Sequence, residues 1–108
     1  MFAEKTKELI EQAVKQEYDN SKSKHGEKFV SYHEAYAVLK EEIEEAGDCY
    51  VPIELALINL WKAVKENKVE GENGRVRIEK ICNEAISLAM EACQIAAVCK
   101  KTLDGVNR

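Results

Sequence analysis

A chain of 108 residues is the size of one domain, so residues 1–108 are read as a single helical domain. Its 45% hydrophobic and 33% charged residues, with one proline and five glycines, exclude disorder and a many-turned β fold. A net charge of −4 gives no support to sequence-independent binding of a nucleic-acid polymer, which depends on clustered Lys and Arg. No run of 18 apolar residues occurs, and Met1-Phe2-Ala3-Glu4-Lys5 lacks the apolar region of a signal peptide. The expectation is a cytoplasmic protein with no membrane partner.

In chain order, the first helix is predicted over residues 2–18, where Phe2, Thr6, Leu9, Ile10, Ala13 and Val14 recur at helical spacing. From Asp19 to Val30 the pattern dissolves into a polar, glycine-containing stretch that reads as a loop anchored by Phe29. Its Lys22, Lys24, His25 and Lys28 make it either a solvated connection or a surface for substrate phosphates. The second helix is predicted over 32–46. Ser31 and Glu34 have the spacing of a capping box, and Gly47 suits the position just past a helix end. Tyr32, Ala35, Tyr36, Leu39, Ile43 and Ala46 form one stripe, expected to face the core.

Four carboxylates crowd that helix. Glu41 and Glu44 point away from the stripe, whereas Glu42 and Glu45 border it. Like charges three and four residues apart repel, a cost that a divalent cation removes. Mg²⁺ prefers oxygen donors and is held by a few carboxylates together with phosphate oxygens. The same run also fits an ordinary solvated acidic face. His33, in the first turn, suits local hydrogen bonding better than ligation of such an ion.

Pro52 suits the first turn of a third helix, predicted over 53–68 with Ile53, Leu57, Leu60, Trp61 and Val64 on its apolar side. Trp61 reads as core, with a stacking platform for a nucleobase as the alternative. Residues 69–74 form a second loop, too poor in cations to cradle phosphate. The last helix is predicted over 76–102, with a broad face rich in alanine and cysteine. Glu84 and Glu91 lie two turns apart on one border of it, and Gln94 follows Glu91 by three. Antiparallel packing of this helix on the second could bring Glu42 and Glu45 to Glu91 or Glu84, and a surface ion pair between Glu84 and Lys80 is the alternative. Cys49, Cys82, Cys93 and Cys99 show no zinc-site spacing and read as reduced, buried small hydrophobes.

The segment Lys24-His25-Gly26 followed by Ser31-Tyr32-His33-Glu34-Ala35-Tyr36-Ala37-Val38-Leu39-Lys40-Glu41-Glu42-Ile43-Glu44-Glu45 resembles the first motif of phage-type members of the MazG-like, all-α nucleoside triphosphate pyrophosphohydrolases. Glu91-Ala92-Cys93-Gln94-Ile95-Ala96-Ala97-Val98 resembles their closing helix. The resemblance implies an all-α, four-helix MazG-like bundle completed by a homodimer or homotetramer. It also implies Mg²⁺, with Mn²⁺ as a substitute, held by a Glu-x-x-Glu pair and a Glu-x-x-Asp pair, and cleavage of a nucleoside triphosphate between its α and β phosphates. Carried over, the metal set is Glu42, Glu45, Glu91 and Gln94, with Glu41 and Glu42 as catalytic residues and Lys24, Lys28 and Trp61 toward substrate. Gln94 departs from the pattern: its amide brings no charge and cannot act as a base. The alternative implied is a catalytically silent phage or prophage helical protein that binds nucleotide or a protein partner.

Overall fold

The computed structural model describes residues 3–67 and 72–106 and, among them, is all-helical, with α1 Glu4–His25, α2 Tyr32–Lys65 and α3 Glu72–Asp104. Residue 2 of the first predicted helix, residue 68 of the third and residues 69–71 of the second loop lie outside the described residues. The chain divides into two units, Met1–Glu44 with Glu91–Arg108, and Glu45–Met90.

The predicted loop over 19–30 is corrected to a much shorter one. Helix α1 continues to His25 because its polar residues support one another at i,i+4 spacing: Lys15 reaches Asp19 at 3.5 Å, and the Lys22 ammonium lies 4.6 Å from the centre of the Tyr18 ring. Gly26, at φ 82°, then ends the helix, its N–H donating to the Lys22 carbonyl at 2.9 Å. The capping box forms in a shifted version. The Glu34 N–H donates to Ser31 Oγ at 3.3 Å, and the Glu34 carboxylate accepts from the Val30 N–H at 2.6 Å.

The predicted break over 47–52 is also corrected. Helix α2 runs through Gly47 and Pro52 as 34 continuous residues, so the second and third predicted helices are one. A mid-helix Gly costs about 1 kcal/mol relative to Ala, and an interior Pro removes a backbone hydrogen bond at a cost of about 3 kcal/mol. The helix is ended instead by Asn67, which takes the left-handed conformation at φ 57° and donates to the Val64 carbonyl.

In the first unit, Phe29, Ala35 and Val98 form a buried cluster, with Val38, Leu39 and Val106 packed against it. Phe29 is completely buried, as the loop anchor predicted, and pairs through its backbone with Val106. Lys101 is buried beside it, its ammonium 4.2 Å from the ring centre and donating to the Ser21 carbonyl and hydroxyl at 3.3 and 3.4 Å. Burial holds the Lys101 ammonium below the ordinary lysine range, with Glu34 and Glu27 opposing that shift. Tyr18 donates to the Asp104 carboxylate, a hydrogen bond that pushes its phenol up from 10.0 to about 12.

The second unit is a hairpin of the later part of α2 and the earlier part of α3, in which Ala56 and Ala63 are buried. An open groove of about 560 Å³ lies between them, lined by Pro52, Leu55, Ala56, Asn59, Val76, Arg77 and Lys80. The core-facing stripe is corrected in part: Ala35 is buried and Leu39 and Ala46 are half-buried, but Tyr32, Tyr36 and Ile43 are exposed. By length and composition α3 is apolar enough over Gly74–Asp104 to cross a membrane, with mean hydropathy 1.3 in its best window, where the sequence reading had expected no such segment. Mostly buried core helices of soluble proteins pass the same test, whereas this window is only 11% buried, and every qualifying window contains Glu84 and Glu91. The four cysteines are free, with Cys49 and Cys93 half-buried and Cys82 and Cys99 exposed, so the buried reading is corrected for the last two.

Two measurements check this account of the first unit. Phe29→Ala is expected to cost about 3–5 kcal/mol, read from the urea midpoint of the helical signal. The raised Tyr18 pKa stabilises the fold at every pH below 10, a contribution lost as pH rises through about 12. Spectroscopic titration should therefore show one of the four tyrosines ionising near 12, and Asp104→Asn should return it to the ordinary range.

Candidate metal centre

Two elements of the first unit supply the centre. Glu42 lies on α2 and Glu91 on α3, both half-buried, with carboxylate oxygens within 4.8 Å of each other. Gln94, one turn after Glu91, sits between them. With its amide turned to satisfy its neighbours, the nitrogen donates to Glu42 Oε2 at 2.7 Å and to Glu91 Oε2 at 2.9 Å. Glu45 follows Glu42 by one turn of α2 and opens the second unit.

The donor set suits a hard cation, because every candidate ligand is a carboxylate oxygen. Gln94 is placed differently from a ligand. A carboxamide that donates to both acids softens their repulsion in the way a cation does, though without net charge. To offer its carbonyl oxygen instead, the amide must turn over and give up both hydrogen bonds.

The other sequence candidates are dispersed. Glu41 is exposed, and Glu44 is engaged by Lys40 at 3.2 Å. Lys80 reaches Glu84 at 3.9 Å, the surface pair that was the alternative for that acid. Lys24 is exposed in the last turn of α1, and Lys28 is exposed in the following loop, its ammonium 3.4 Å from where a side chain on Gly105 would begin. His33 is exposed in the first turn of α2. Trp61 is corrected from core to surface: it is 58% exposed in the second unit, with the Lys65 ammonium 5.6 Å from its ring. Lys101 was missed by the sequence reading. Its signal was a lysine four residues after Ala97 and three after Val98, on the buried side of α3, where a charge needs partners.

No family model matches the chain, and neither do any curated proteins or solved structures. The all-α fold and the convergence of Glu42, Glu91 and Gln94 are therefore what bear on function.

Replacing Gln94 with Asp turns a donor into a charged oxygen ligand. Calorimetric titration with Mg²⁺ is expected to show affinity raised by about tenfold or more in Gln94→Asp. Equal affinities would mean that this position does not face the ion.

Proposed function

We propose that the protein is a Mg²⁺-dependent nucleoside triphosphate pyrophosphohydrolase, producing a nucleoside monophosphate and pyrophosphate. The observation that carries this reading is the approach of Glu42 to Glu91, two acids 49 positions apart in sequence, on neighbouring helices of one unit. The MazG-like resemblance of the α2 motif supplies the reaction. Glu42, Glu45 and Glu91 would hold the ion, which supplies charge neutralisation for the triphosphate and acidifies water. Glu41, exposed beside Glu42, is free to accept a proton from water arriving from solvent. In this reading the protein is cytoplasmic, of phage or prophage type, and completes a four-helix bundle as a homodimer or homotetramer.

Gln94 favours a second reading, a catalytically silent relative that binds nucleotide or a protein partner. Its amide already occupies both acids with hydrogen bonds and brings no charge to a metal.

Hydrolysis of a panel of ribo- and deoxyribonucleoside triphosphates with Mg²⁺ or Mn²⁺ separates the two. The enzyme reading expects pyrophosphate release that Glu42→Gln reduces by at least about 100-fold with the helical signal retained. Binding without turnover across the panel would select the second reading, and turnover unchanged in Glu42→Gln would overturn the assignment of the site.

A further inference from the structure

The groove of the second unit has one apolar wall and one cationic wall. All of its lining residues fall within Glu45–Met90, so its shape is internal to that unit. On α2, Pro52, Ala56 and Asn59 follow one another at four and three residues and so share one stripe, with Leu55 beside them. Ala56, 6% exposed, is the floor, and its single methyl leaves the depth that a larger side chain would fill. Pro52 brings a ring and no N–H, so this wall has no backbone donor there. Leu55 and Val76 line the groove yet stay 55% and 58% exposed, which leaves apolar surface on both sides for a ligand to cover.

The charge on the other wall has one sign. Arg77 and Lys80 are one turn apart on α3, and among the described residues no carboxylate lines the groove, although the whole chain has 20 acidic residues against 16 basic ones. Both cations have partners in the protein: Lys80 reaches Glu84 at 3.9 Å, and Arg77 is engaged as well. A surface ion pair exchanges partners at little cost, and a guanidinium has donors beyond those one contact uses. Two cations partly neutralised in this way suit a singly charged head. The Asn59 carboxamide, on α2, adds a neutral donor and acceptor.

We infer that the groove binds an amphipathic monoanion, a free medium-chain carboxylate whose tail lies along Pro52, Leu55 and Ala56 and whose head meets Arg77 and Lys80. The groove's volume of about 560 Å³ is in the range of small-molecule sites. From Pro52 to Asn59 the helix rises about 10 Å, at about 1.5 Å per residue, which sets the tail at medium rather than long chain. The inference does not rest on the nucleotide reading, in which Glu42 and Glu91 belong to the first unit.

Nuclear magnetic resonance titration of the full, isotope-labelled chain with decanoate, kept below its micelle concentration, tests it. Saturable shifts are expected at Ala56, Asn59, Arg77 and Lys80, with a dissociation constant in the submillimolar range. Decylammonium, which has the same tail and the opposite head charge, should bind at least about tenfold more weakly. Joint Arg77→Gln and Lys80→Gln exchange should weaken decanoate by about tenfold or more with the helical signal retained. Asn59→Trp, at an exposed position, should fill the groove and abolish the shifts. Equal binding of the two head charges would reduce the contact to apolar adsorption and overturn the proposal. So would silence at millimolar decanoate, shifts centred outside the groove, or a response that the double exchange leaves unchanged.

Discussion

The first unit depends on a loop residue, Phe29, whose ring is fully buried and carries the ammonium of Lys101 on its face. A charge is stable in that position only because the ring face, the Ser21 carbonyl and the Ser21 hydroxyl together replace its water. The contact ties the last turns of α1, the connection into α2 and the end of α3 to one point. It thereby sets where α2 and α3 run past each other in that unit, and so where Glu42 meets Glu91. The two titrating groups of this region act in opposite senses. Lys101, held below its ordinary range, makes the folded state bind fewer protons than the unfolded one as pH approaches that range, so its contribution favours folding as pH rises. Tyr18, held above its ordinary value, does the reverse from pH 10 upward.

The second unit rests on a different balance. Among its described residues the buried apolar side chains are two alanines, and Tyr50, Leu57, Ile58, Trp61, Val76, Ile86 and Met90 remain exposed. A helical hairpin with so little covered has little to offset the entropy of ordering its residues. Continuity of α2 belongs to the same balance, because a helix that keeps Gly47 and Pro52 in its interior loses local stability that packing has to return.

Much of the architecture was legible from the sequence. All-helical content followed from apolar spacing at three and four residues. The start of α2 followed from Ser31 and Glu34, and the anchoring role of Phe29 from one aromatic in a polar stretch. The helix ends were misread where a residue has two common uses. Gly47 and Pro52 are terminators by propensity, but a helix can carry both when its neighbours hold it. Asp19 to His25 carries no apolar stripe, yet i,i+4 pairs and contacts from the end of α3 keep it helical. The exposed row containing Tyr36 and Ile43 was assigned to the core because periodicity reports that a face is apolar, and is silent on whether its own chain covers it. Pairing Glu42 with Glu91 was reachable because both border a buried stripe. The donor role of Gln94 was not, since an amide reads equally as donor or acceptor until its neighbours are placed.

That amide defines the electrostatic question at the centre. Two carboxylates within 4.8 Å of each other repel by about 3.5 kcal/mol at an effective dielectric constant of 20. Two N–H donors reduce that repulsion without cancelling either charge. A divalent ion cancels both, and it competes with hydrogen bonds that are already in place. Were Glu42 and Glu91 to hold a metal as proposed, their affinity would be lowered by the cost of breaking the Gln94 bridge. Phosphate oxygens of the proposed triphosphate substrate would add ligands that compensate for that cost. In the proposed hydrolase, Gln rather than Asp at position 94 would tie tight metal binding more closely to the presence of substrate.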